Sequence, residues 1–145
     1  MRPTAAKVLK DIYDAWRVQD LDTVAGYLAD DFTHAVHIPA KVFHLGGLRA
    51  GKKSAVERLR LVIAEFDFLS FDASGLMFDK DRAAVEIPIR YRHRETGVPL
   101  ELVFASFWTF EGDRPVRLTE YHDIGRIQAF ADTVAAVGAS RSAPV

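Results

Sequence analysis

The chain has 145 residues, 49% of them hydrophobic and 27% charged, with a formal net charge of -1 and no cysteine. That length and mix suit one domain with a single core. The near-zero charge supplies neither the basic face that nucleic acid needs nor a polybasic membrane patch, and the missing cysteines exclude disulfides, a thiolate zinc site and a cysteine nucleophile.

Met1-Arg2-Pro3-Thr4 runs straight into an amphipathic pattern with no signal-peptide core, and no apolar run reaches the ~20 residues of a bilayer span. A cytoplasmic location is the expectation. Residues 4–19 read as a helix, because Val8, Leu9, Ile12, Tyr13 and Trp16 recur at helical spacing. Asp20-Leu21-Asp22 breaks it, and Asp22 can cap a short second helix carrying Val24, Ala25 and Leu28. Residues 31–38 alternate as a strand, with Phe32, His34, Val36 and Ile38 on one side. Residues 39–51, with Pro39, Gly46, Gly47 and Gly51, read as an irregular loop. Ser54 and Glu57 fit a capping box for a third helix, which can begin a turn earlier and buries Val56, Leu59, Ile63 and Phe66.

From Asp67 the period changes to alternation. Strands are expected at 67–78, 82–94, 98–111 and 115–123, with turns at Asp79-Lys80-Asp81, Thr96-Gly97 and Glu111-Gly112-Asp113. Strands this long imply a twisted, curved sheet. Residues 125–137 read as a terminal helix and 138–145 as a disordered tail, so that residues 1–137 form one domain. Helices followed by hairpins argue for an α+β fold with helices on one face of an antiparallel sheet.

A two-residue Thr96-Gly97 turn pairs Tyr91 with Leu102, Ile89 with Phe104, Ile87 with Ser106 and Val85 with Trp108. A longer loop then pairs Trp108 with Leu118, Ser106 with Glu120 and Phe104 with His122. The resulting face is apolar apart from Ser106, Glu120 and His122, with His34 a fourth polar group. The opposite face carries Glu86, Arg90, Arg92, Glu101, Val103, Phe107, Thr109, Arg117 and Tyr121, and its apolar members fit a homodimer contact.

Several local signals, in this order, resemble the nuclear transport factor 2-like superfamily, particularly its SnoaL-like branch. They are the first helix with Tyr13 and Trp16, Leu28-Ala29-Asp30-Asp31-Phe32, Gly47-Leu48-Arg49-Ala50-Gly51 before a helix, and Glu120-Tyr121-His122-Asp123 before the last helix. The resemblance spans residues 4–137. It implies a cone-shaped curved sheet wrapped around the N-terminal helices, a deep apolar pocket and frequent dimerisation. Ketosteroid isomerases, polyketide cyclases, epoxide hydrolases, dehydratases and non-catalytic binders share that fold, so the fold does not choose the function. The isomerase aspartate is absent here, its neighbourhood holding His34, Val36 and Ile38. The epoxide-hydrolase Arg-x-Asp is absent from Val85–Arg92. Asp123 matches an aspartate that polyketide cyclases use as acid/base.

Glu120 on an apolar face would lose solvation, which raises a carboxyl pKa and poises it for proton transfer; the alternative is a carboxylate at the pocket mouth, solvated or paired with arginine. His122 and His34 can relay protons or simply be core histidines bonded to the backbone. Asp123 is a base or a helix cap. Tyr13, Trp16, Tyr27, Phe32, Phe104, Ser106 and Trp108 can line a pocket for a small apolar or aromatic ligand, or be ordinary core. The histidines lack a chelating spacing, so no metal is expected, and the chemistry needs no cofactor. Two functions follow: acid–base catalysis on an apolar carbonyl or polyketide-like compound, as a cofactor-independent isomerase, cyclase or lyase, or a dimeric ligand-binding or accessory domain without chemistry.

Overall fold

The computed structural model describes residues 3–142. Helices α1 (Pro3–Arg17) and α2 (Leu21–Tyr27) lead into strand β1 (Thr33–His37), strand β2 (Gly47–Ala50) and helix α3 (Lys52–Glu65). Strands β3 (Phe66–Phe71), β4 (Met77–Asp79), β5 (Arg82–His93), β6 (Pro99–Glu111) and β7 (Arg114–Tyr121) follow, then helix α4 (Ile124–Ser142). The α+β class stands. The strands form one curved, unclosed sheet in the order β2-β1-β7-β6-β5-β3, with β4 beside β5.

That sheet is mixed, not wholly antiparallel. β1 lies parallel to β7, pairing Val36 with Glu120, because the first strand arrives beside the last one running in the same direction. The expected loop 39–51 also contains β2, which pairs antiparallel with β1. Glycines hid it: a Cβ on Gly46 would lie 2.1 Å from the Ile38 carbonyl oxygen, and Gly47 holds a φ of +100°.

Local chemistry moves some boundaries. Asp20, not Asp22, caps α2, its carboxylate accepting from the Thr23 amide at 3.2 Å and the Thr23 hydroxyl at 2.6 Å. α3 starts at Lys52 with Gly51 at its N-cap and no side-chain cap, so the Ser54–Glu57 box does not set its start. The strand read at 67–78 divides into β3 and β4, with a bulge between Phe68 and Ser70 and an Asx turn at Asp72. The tail expected from residue 138 is helical through Ser142, where the Arg141 guanidinium donates to the carbonyls of Glu95 and Thr96 and ties the last turn to the β5–β6 loop. Residues 143–145 of that tail lie outside the described residues.

The β6–β7 register is the expected one, with Trp108 opposite Leu118 and Ser106 opposite Glu120. Between β5 and β6 it is displaced by two: Tyr91 faces Leu100, Ile87 faces Phe104 and Val85 faces Ser106. A four-residue loop, closed by Gly97 N–H to His93 C=O and His93 N–H to Val98 C=O, replaces the two-residue turn. A shift of two preserves the faces, since strand side chains alternate with period two. Val85, Ile87, Ile89, Leu102, Phe104 and Trp108 therefore all point inward and are buried, while Val103, Phe107 and Tyr121 remain exposed outside. No described helix is long and apolar enough to cross a membrane.

Candidate functional site

Helices α1 and α3 lie over the inner face of the sheet and leave a cavity of about 140 Å³ between them. Ile12, Tyr13 and Trp16 reach it from α1, Arg58, Leu59 and Val62 from α3, and Ile127 from α4. β5, β6 and β7 supply the apolar wall because their inward positions are the alternating apolar set.

The polar end is built where β1 and β7 lie side by side. His34 leaves β1 and Glu120 leaves the neighbouring β7, while His122 follows Glu120 by two residues on the same side. The His34 Nε2 stands 2.5 Å from Glu120 Oε2, and the His122 Nε2 stands 3.2 Å from Glu120 Oε1. The carboxylate is thus an acceptor between two imidazole N–H donors. All three are largely withdrawn from solvent, the His34 side chain at 3% exposure and Glu120 at 14%. The His122 ring stacks on Phe104, with centroids 4.6 Å apart, which fixes its plane. Among the described residues, His34 Nδ1, His122 Nδ1 and Arg58 Nε are buried and without a hydrogen-bond partner.

Burial is the largest influence on Glu120 and raises its pKa. The charge of His34, the hydrogen bonds from His122 and His34, and the charge of His122 together outweigh it and hold the carboxyl well below the ordinary carboxylate range. This reverses the expectation that burial would leave a raised, protonatable carboxyl, because that expectation omitted the imidazole partners. Glu120 is an ionised anchor.

Tyr13 and Trp108 meet edge to face, and the Trp108 indole donates to the Tyr13 hydroxyl at 2.7 Å. Burial pushes the Tyr13 pKa up, so its phenol stays neutral. Trp16, Phe104 and Ser106 also line the cavity. Tyr27 and Phe32 do not. The Tyr27 hydroxyl donates to Asp11 on the side of α1 at 2.9 Å, and Phe32 forms a layer behind His34 and Trp108. Asp123 is half-exposed and caps α4, accepting from the Arg126 amide at 3.1 Å. It is not among the cavity residues, since the chain has turned into α4 by that point.

Arg58 is the residue that sequence reading missed. It is 1% exposed, yet lies on the α3 face turned to the cavity. Its guanidinium donates to the carbonyls of His34 and Gly47 at 2.7 Å each and, more weakly, of Leu45 at 3.4 Å. Burial lowers its pKa to about 10, against the opposing pull of Glu120, so it stays charged at neutral pH. Among the described residues, no three His, Asp or Glu side chains are disposed to hold a metal ion, the imidazole Nε2 atoms here being spent on Glu120.

The family model described as the SnoaL-like domain matches residues 9–118. No curated protein matches the chain. Among solved structures, it is similar to a protein from Rhodopseudomonas palustris provisionally assigned as an isomerase, at 19% identity and a TM-score of 0.78, over 92% of this chain and 98% of that one. It is similar to TerC co-crystallised with polyporic acid at 17% identity and a TM-score of 0.77, over 89% and 98%. A third is a Catenulispora acidiphila protein with a ketosteroid isomerase-like fold in complex with trimethylamine, at 13% identity and a TM-score of 0.72, over 91% and 95%. At such identities the likeness speaks for the fold alone.

Proposed function

The chain belongs to the SnoaL-like domain family, and from that premise we propose that it is a cofactor-independent acid–base enzyme that moves a proton on a small apolar carbonyl compound. The observation that carries the reading is the carboxylate bridge between two buried imidazoles at the end of an apolar cavity. The sequence assigned the acid–base step to Glu120, but a carboxylate already engaged by two donors is a poor free base. We assign it instead to the imidazoles. With both Nε2–H groups directed at Glu120, a neutral ring has its lone pair on Nδ1, and a protonated ring has an Nδ1–H.

One Nδ1, closed off in the structure as it stands and reached only by a local shift of its ring on substrate entry, takes the proton from the carbon next to the carbonyl, so that a C–H bond breaks and an N–H bond forms. The other Nδ1–H donates to the carbonyl oxygen, where negative charge develops. Return of the proton to another carbon gives isomerisation, and loss of it to solvent followed by delivery of a solvent proton to the same carbon gives exchange. The test is deuterium incorporation next to the carbonyl of cyclohexanone in heavy water, followed by NMR. Exchange above the buffer rate is expected, and it should collapse in the His34→Gln and His122→Gln variants.

The engaged state of Glu120 also favours a second reading, a dimeric binding domain without chemistry that pairs through Val103, Phe107 and Tyr121. It predicts ligand binding and a dimer in sedimentation, with exchange no faster than buffer.

A further inference from the structure

Resting on the acid–base reading of the same cavity, we infer that the substrate is a neutral compound built on one small ring or an equally short carbon skeleton, with its polar group at one end. Drug-sized ligands occupy about 300–1,000 Å³, whereas a dry cavity of about 150 Å³ is filled by benzene. The cavity here, about 140 Å³, belongs with the second. Four fused rings need several times that space.

The walls are poorly placed to yield. Half of the lining comes from β5–β7 and α1, whose inward side chains are packed as protein interior. A further wall is the segment between β1 and β2, which brings Phe43 and Leu45 to the cavity and is held near its β2 end. Arg58 holds the Gly47 carbonyl at 2.7 Å, and the His44 Nε2 meets Glu65 Oε2 at 2.8 Å.

Charge narrows the class further. The two terminal nitrogens of Arg58 are turned to backbone carbonyls, and the ionised Glu120 stands at the polar end. A substrate carboxylate would meet that negative charge at short range in a low-dielectric site. A ketone or enol oxygen carries no full charge and meets no such repulsion.

Both tryptophans of the chain, Trp16 and Trp108, line the cavity, so intrinsic fluorescence reports its occupancy. The wild-type protein is titrated with cyclohexanone, two-ring 2-tetralone, four-ring progesterone and anionic cyclohexanecarboxylate. Cyclohexanone is expected to give a saturable change, with binding lost for the other three at the same concentrations. Binding of 2-tetralone, progesterone or the carboxylate as tight as that of cyclohexanone overturns the inference, as does the absence of binding by all four. Exchange is measured separately on the same ketones. One-ring selectivity without exchange defeats the acid–base reading and leaves the size inference standing, whereas exchange on progesterone defeats the size inference alone.

Discussion

Glu120→Gln is expected to slow ketone proton exchange by about 10²–10⁴-fold, the span of a general acid–base contribution. The cause is tautomeric. A carboxylate accepts from both Nε2–H groups, at 2.5 Å and 3.2 Å. A carboxamide has one oxygen and one NH₂, so it must donate to one of the rings. That ring then carries its proton on Nδ1, and the lone pair turns from the substrate to the amide, as happens when an amide replaces the carboxylate of a serine-protease triad. The variant also loses charge-assisted bonds worth about 1.5–3 kcal/mol.

Its acid response should change too. The folded pKa of Glu120 lies below the unfolded value of about 4.3. The stability it contributes is therefore fully present above that value and is lost as pH falls below it. Melting temperatures of wild type and variant are expected to converge in acid and separate towards neutrality. Equal exchange rates, or parallel melting curves, would remove Glu120 from the account.

Arg58→Met is expected to destabilise the fold by about 2–6 kcal/mol, the cost of leaving two buried carbonyls without their charged donor. Methionine keeps the apolar stem but leaves the carbonyls of His34 and Gly47 without their donor, and each unsatisfied buried acceptor costs about 1–3 kcal/mol. Arg58→Lys should recover only part, because an ammonium cannot reproduce the planar fork that spans the two carbonyls. Urea denaturation measures both. A loss under 1 kcal/mol for Arg58→Met would show that the guanidinium is not what joins α3 to the β1–β2 hairpin.

Much of this site is written in local pattern. Alternation along β5, β6 and β7 puts Ser106, Glu120 and His122 on the inner face, and it does so even though the β5–β6 register is displaced by two, because facing depends only on parity. The bridge itself is not legible. It requires β1 to lie parallel beside β7, a pairing between chain ends that no local period announces. Arg58 is harder still. Its place between Ala55 and Val62 on the inner stripe of α3 is a signal, but its acceptors belong to a hairpin whose second strand is masked by Gly46 and Gly47. Tyr27 and Phe32 show the converse: an aromatic residue reads as inward-facing, but whether it borders a void depends on packing several elements at once.

The central claim is that Glu120 orients two imidazoles so that their Nδ1 atoms meet the substrate. Nitrogen-15 NMR of the histidine rings tests it most directly, with His34 and His122 assigned from their glutamine variants. Both rings are predicted to carry a hydrogen-bonded proton on Nε2, with Nδ1 resonances that move when cyclohexanone saturates the cavity. Protons on Nδ1 in both neutral rings, or Nδ1 resonances unmoved at saturation, would contradict it.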